Sequence, residues 1–460
     1  MKKQKGFILP LILVIVVLVV MGGFVYVKNN KGKNVNNFPV LSDSISTSTE
    51  EVSSETTSGV KRSDGVTSDN TSTLVSSNIG SVTSESPKKI PSSHNSFGID
   101  LLKLIKVDEG TDNVFISPSS IALALSMVYN GAEGNTKTAM QKILYFKNID
   151  TSSVNKESLG LINSLKNADS KIALSIANSI WARSGVQFNA NFVPTIKSYY
   201  NAESSILDFN NPSSVKTINS WVSKNTNGKI SSIISSIPSS MVMYVINAVY
   251  FKGSWTKAFD KKLTENKDFT NANGSSVKIP FMERAGTMPY FETNDPAVGD
   301  FQSVELSYGI NNRITMDVFL PKDINKFVTG VTPEKLNGWL GSYLNKKGDL
   351  IIPKFKIEYE KQLNSALTKL GMGVAFSDSA DLSGIGKSLK ISEVKHKSYI
   401  DVNEEGTEAA AVTSVGVATA AAPREPEDRF YMEVNHPFFF VIRDKQTSEI
   451  LFMGVIQNLK

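Results

Sequence analysis

Asn113-Val114-Phe115-Ile116-Ser117-Pro118-Ser119-Ser120-Ile121 is the stretch on which the fold turns. Val114 to Ile116 is β-branched and aromatic, and reads as a short buried strand. Ser117 and Pro118 end it and open a helix, because a serine oxygen accepts an otherwise orphaned amide and proline has no amide to lose at the first helical position. Ile121, Leu123, Ala124, Leu125 and Val128 then recur at helical spacing, so a capped and mostly buried helix is predicted over 117–129.

Ile172 to Ala182 and Met241 to Phe251 are β-branched and aromatic runs long enough for central strands. Between them, Val215, Ile218, Trp221 and Val222 have helical spacing, and Asn227-Gly228 stops that helix. After Phe269 short strands are expected, with turns at Asn273-Gly274 and Asn311-Asn312. A helix is predicted from Glu360 to Leu370, ended by Gly371. Phe438 to Arg443 and Ile450 to Val455 form a hairpin across Lys445-Gln446-Thr447. Helices mix with antiparallel strands, without a repeat and without regular βα alternation, so the class is α+β and a doubly wound fold is disfavoured.

The N-terminus has a different character. Lys2, Lys3 and Lys5 precede an apolar run from Phe7 to Val27, about long enough to cross a bilayer core. Gly22-Gly23-Phe24-Val25-Tyr26-Val27 offers no A-x-A cleavage pattern. Residues 1–28 are therefore expected to be a signal-anchor, placing the protein outside the cytoplasm and tied to the membrane; a secreted form is the alternative. Residues 29–93, rich in Ser, Thr and Asn, cannot offset their ordering entropy by burial and read as a disordered linker. Residues 94–460 read as one globular domain, with His94 at the edge of the stalk.

The charge balance is 49 Lys and Arg against 44 Asp and Glu, a formal +5 without a basic stripe, which argues against nucleic-acid binding. No cysteine is present, which excludes a disulfide framework and thiol chemistry. The sequence contains no H-E-x-x-H helix, no G-x-S-x-G elbow and no phosphate-binding loop; Gly131-Ala132-Glu133-Gly134 follows a helix and lacks the Lys-Ser/Thr ending. No cofactor, no metal site and no catalytic residue is expected.

Six blocks resemble the serpin family in order along the chain. They are Asn113–Ile121 with Ala124-Leu125, Met127 and Gly131–Thr136; Asn247-Ala248-Val249-Tyr250-Phe251-Lys252-Gly253-Ser254-Trp255; Leu320-Pro321-Lys322-Asp323; Ala380-Asp381-Leu382-Ser383-Gly384-Ile385; Glu404-Glu405-Gly406-Thr407-Glu408-Ala409-Ala410-Ala411; and His436-Pro437-Phe438-Phe439-Phe440-Val441-Ile442-Arg443. The resemblance implies three β-sheets, eight or nine helices and an exposed reactive-centre loop near the C-terminus. With the anchor, it implies a membrane-anchored, prokaryotic-type member, monomeric and not an enzyme. It also implies a protease inhibitor that acts as a suicide substrate, its cut loop entering the large sheet while the protease is still held as an acyl-enzyme.

By the same resemblance, Glu404, Gly406, Thr407, Glu408, Ala409, Ala410 and Ala411 form the hinge of the loop. Ser117, Ser120, Asn247 and His396 match the polar shutter beneath the sheet, and Trp255, Lys354 and Glu404 match the breach where insertion starts. An ion pair between Glu404 and Lys354 is expected. The scissile bond falls at Ala420-Ala421, with Thr419-Ala420 as the alternative, and Val417-Ala418-Thr419-Ala420 would suit elastase-like or subtilisin-like serine proteases. The loop runs about six residues longer on its C-terminal side than in many relatives. A non-inhibitory serpin-fold protein with a binding or chaperone-like role is the second reading.

The residues themselves bear on insertion. Thr407, Ala409, Ala411, Thr413, Val415 and Val417 would lie on one face of a strand, and Glu408, Ala410, Val412, Ser414, Gly416 and Ala418 on the other. The first set is small or β-branched throughout and the only charge is in the second. No proline interrupts the amides before Pro423.

Overall fold

A computed structural model describes residues 89–407 and 428–460. The strands are β1 (Val114–Ile116), β2 (Ile172–Arg183), β3 (Glu203–Leu207), β4 (Met243–Ser254), β5 (Glu265–Thr270), β6 (Ser276–Asp295), β7 (Gly299–Tyr308), β8 (Ile314–Pro321), β9 (Leu344–Pro353), β10 (Phe355–Gln362), β11 (Glu393–Asn403), β12 (Gly406–Thr407), β13 (Phe430–Glu433), β14 (Phe438–Asp444) and β15 (Glu449–Ile456). Nine α-helices occur among the described residues. Those that matter for the site are α1 (Lys89–Glu109), α2 (Pro118–Tyr129) and the later helix Ser213–Asn225.

The helix after Ser117 forms as its sequence dictates. Ser117 is extended and its side chain accepts the Ser120 amide, Pro118 starts the helix, and every residue of α2 is buried. α2 packs against β2 and β4 on one side and β15 on the other, and β1 pairs antiparallel with β15. Phe115 stacks between Phe440 and Phe452, with centroid separations of 5.8 and 5.2 Å.

Among the described residues the strands make two hydrogen-bonded networks. One has six strands in the order β10-β11-β12-β4-β2-β3; the other has nine, on the path β1-β15-β14-β8-β7-β6-β9-β13 with β5 on the side of β6. Hydrogen bonding thus counts two networks where three sheets were expected. The reason is β6, which spans 20 residues: it pairs with β5 at its start, with β9 along its middle and with β7 only at its end, joining two layers through one strand. Short strands were expected in this region, and β6 is the exception.

Other expectations are corrected. Glu360 to Gln362 belongs to β10, since Ile357 and Tyr359 are buried and alternate with exposed Lys356, Glu358 and Glu360. Only Asn364–Leu367 is α-helical, followed by a wider π-type turn over Thr368–Met372 in which Gly371 takes φ 117°. α1 begins at Lys89, five residues ahead of the boundary drawn at His94, because Ile90 already joins the core. His94 is fully buried instead of lying on a stalk, and its Nδ1 is 2.8 Å from Glu449. Asn95 alongside it clamps the β14–β15 turn, bonding the Ser448 carbonyl and the Ile450 amide.

The expected localisation, anchored in a membrane through residues 1–28, is withdrawn. Among the described residues no helix is long and apolar enough to cross a membrane. Residues 1–28 and the expected linker up to residue 88 lie outside those described.

Phe115→Ala is expected to lower the stability of the native state by about 3–5 kcal/mol, since a buried ring stacked on both sides leaves a cavity. A fall in the urea midpoint checks this, and an unchanged midpoint would show that the ring is not part of the load between the sheets.

Candidate functional site: the seam of the six-stranded sheet

β4 and β11 run parallel and pair directly from Tyr244–Tyr250 to Glu393–Tyr399. Above that stretch they part, and β12 lies between them, antiparallel to both: Thr407 pairs with Gly253 and Val402, and Gly406 with Ser254 and Asn403. The six-stranded sheet is therefore closed at one end and already holds two inserted residues at the other.

Local chemistry explains why the chain turns there. The Asn403 side chain accepts the Glu405 amide at 3.0 Å, an Asx-type turn that reverses the backbone. Gly406 has φ 145°, and a Cβ on it would overlap the Gly253 carbonyl oxygen, so only glycine fits. The strap Trp255–Phe259 grips the turn from outside: the Trp255 amide donates to the Glu405 carbonyl (2.9 Å) and the Phe259 amide to that of Glu404 (2.8 Å). The Trp255 indole also donates to the Asn403 carbonyl at 2.9 Å.

Glu404 and Lys354 meet beside the turn that Trp255 holds. Lys354 Nζ lies 3.0 Å from Glu404, and Thr264 donates to the same carboxylate at 2.8 Å. Burial would raise the Glu404 carboxyl, but its own backbone amide, Lys354 and Thr264 outweigh that and hold it below the usual range. Glu405 pairs with the exposed Lys261. Thr407 is fully buried and its hydroxyl is 2.7 Å from the Tyr308 hydroxyl, whose ring stacks on Trp255 at 4.2 Å.

Deeper in the sheet, Asn178, Asn247 and His396 sit opposite one another on β2, β4 and β11, one polar row across three strands. The Ser117 amide donates to His396 Nε2 at 3.3 Å, so the ring carries its proton on Nδ1 and donates to Asn247 Oδ1 at 2.6 Å. Asn247 Nδ2 in turn donates to Asn178 Oδ1 at 2.6 Å and to Ser120. Ser117 Oγ donates to the Leu451 carbonyl, tying the row to β15. Burial lowers His396 to about 3, so it is neutral and serves as a link between strands, not a base.

The other side of the seam is apolar. Tyr244, Ile246, Ala248, Tyr250 and Tyr399 lie beneath helix Ser213–Asn225 and the segment after it, in a cluster with Ile218, Val222, Ile230 and Ile233.

Glu408, Ala409, Ala410, Ala411, Thr419, Ala420 and Ala421 lie outside the described residues. Sequence reading missed Tyr308, Thr264 and Asn178. Asn178 had a signal, a polar residue inside the apolar run Ile176–Ile180; Tyr308 and Thr264 had none, because their partners lie some hundred residues away in sequence.

His396 makes stability depend on pH with a definite sign. In the unfolded chain it binds a proton below about 6.5, whereas the native state resists protonation down to about 3. Between these values the unfolded state holds the extra proton, so stability falls as pH falls, by about 1.4 kcal/mol per unit. Urea midpoints of the wild type and His396→Gln between pH 7 and 4.5 should converge towards acid; parallel curves would contradict a neutral His396.

The sequence model of one family, described as serpin (serine protease inhibitor), matches residues 92–459. An uncharacterised serpin-like protein of Thermococcus kodakarensis is 34% identical over 399 residues, covering 85% of this chain and 91% of its own. The leukocyte elastase inhibitor of Xenopus tropicalis is 36% identical over 372 residues, covering 78% and 96%. Among solved structures, the thermophilic serpin tengpin in its native state matches with a TM-score of 0.74 at 33% identity, covering 81% of this chain and 94% of that one. Human thyroxine-binding globulin complexed with thyroxine matches with a TM-score of 0.74 at 27% identity, covering 81% and 99%. Relatives from an archaeon and a frog lend no support to a narrower prokaryotic type, but the match over nearly all the described residues is decisive: the chain belongs to the serpin family.

Proposed function

We propose that this serpin inhibits serine proteases as a suicide substrate, by drawing its cleaved loop into the seam between β4 and β11. The observation that carries the reading is β12. Gly406 and Thr407 already occupy the position of a new central strand, hydrogen-bonded on both sides.

The register supports continuation. Thr407 points into the core, so Ala409, Ala411, Thr413, Val415 and Val417 would follow it there, and each is small or β-branched. Stepping along both ladders from Thr407 brings Ala410 between Tyr250 and Tyr399, where only a small side chain fits easily under the helix Ser213–Asn225. The same count brings Thr413 opposite both Asn247 and His396. Parting β4 from β11 breaks the Asn247–His396 hydrogen bond, and a hydroxyl arriving between them is the group able to restore it.

The chemistry follows. A protease serine attacks the Ala420 carbonyl, the amine of Ala421 leaves with the C-terminal portion, and Ala420 stays esterified to the enzyme. Roughly twelve residues inserted at about 3.3 Å each would carry that ester about 40 Å along the sheet. Hydrogen bonds at about 1 kcal/mol each, plus apolar burial, would release on the order of 10 kcal/mol, leaving the intact molecule kinetically trapped. Thr419-Ala420 is the competing bond. The small residues around it, and the likeness to a relative named leukocyte elastase inhibitor, favour elastase-like or subtilisin-like targets.

Mixing the protein with elastase, subtilisin and trypsin should give an SDS-stable adduct with one of the first two and release a peptide beginning at Ala421. Cleavage without an adduct would reject inhibition. Ala411→Arg should leave cleavage intact but abolish the adduct, because on insertion a charge would have to enter the core on the face that Thr407 already occupies. Thr413→Val should lower the guanidinium midpoint of the cleaved form, reflecting about 1–3 kcal/mol, and leave the intact form unchanged; equal effects on both forms would exclude the register.

A further inference from the structure

Arg284 on β6 is 9% exposed, and among the described residues no carboxylate pairs with it. The contrast is with Arg313, Arg429 and Arg443, each of which meets Asp or Glu. Its Nη1 donates to the Lys257 carbonyl at 2.6 Å, its guanidinium lies 4.7 Å from the centre of the Phe259 ring, and its Nε has no hydrogen-bond partner. Burial without a counter-charge lowers it to about 10. An arginine held in this way is costly unless an anion completes it.

The second cation is close. Gly286, two residues along the same face of β6, has φ 138°, and Lys257 Nζ sits only 3.4 Å from where its Cβ would be. Lys257 is exposed and pairs with no acid among the described residues, while the neighbouring lysines 261 and 354 are already satisfied by Glu405 and Glu404. We infer that Arg284 and Lys257 form a binding site for a small tetrahedral oxyanion, phosphate or sulfate: the Arg284 Nε is buried without a partner, and the Lys257 ammonium lies over Gly286, two residues further along the same strand.

Such a site is coupled to the hinge. Lys257 belongs to the strap whose Trp255 and Phe259 amides hold the Glu405 and Glu404 carbonyls, and Arg284 holds the strap by the Lys257 carbonyl. An ion bridging Arg284 and Lys257 fixes the strap to β6 and so holds the turn that presents Gly406 and Thr407. The effect on protease trapping rests on the loop-insertion reading above; the binding itself does not.

The test therefore reads binding first. The intact protein is melted in sodium phosphate, sodium sulfate and sodium chloride at matched ionic strength. Phosphate and sulfate should raise the melting midpoint saturably and chloride should not. Lys257→Gln should weaken the phosphate response at least tenfold in concentration, and Lys257→Arg should restore it. Isothermal titration of phosphate gives the same ranking without relying on melting, and Arg284→Gln is measured in the same way if it folds. An equal response in wild type and Lys257→Gln, or phosphate behaving as chloride, would overturn the site. Binding that persists where no adduct forms with any protease would reject only the inhibitor reading; adducts slowed by phosphate in wild type but not in Lys257→Gln would support both.

Discussion

The direct pairing of β4 with β11 is the constraint on which everything else in the structure depends. Both strands are central, and the polar row Asn178, Asn247 and His396 lies across them with α2 as its floor. Buried polar groups specify a register strongly because each must find its partner away from water. The row therefore keeps the seam shut in a single alignment.

The upper end of the seam is held by a different balance. Thr407 is committed to the core by Tyr308, while the turn ahead of it is fastened at the surface by Trp255, Lys354, Thr264 and Lys261. Two residues are inserted and the apolar front of the seam is covered by helix Ser213–Asn225. On the proposed reading, further entry would pass beneath that helix, which gives the small residues after Thr407 a steric reason.

Part of this was legible in the residues. The cap at Ser117, the helix behind it, the central run from Met243 and the C-terminal hairpin follow from local rules, because each is decided by neighbours in the chain. The Glu404–Lys354 contact was reached through resemblance and not from spacing. Where reading failed, a non-local partner outweighed the local pattern: Glu360 to Gln362 became strand because β11 was there to pair with it, and His94 became core because Glu449 and Phe146 enclose it.

By itself the sequence determined the class of fold, the order of its main elements and the alternation after Gly406, since periodicity and backbone chemistry act over a few residues. Only the tertiary structure decided that Gly406 and Thr407 rest inside the sheet, that Tyr308 receives the threonine, and that Arg284 is buried without an acid. Those facts depend on which distant strands meet and how closely, and no pattern along the chain encodes a distance between them.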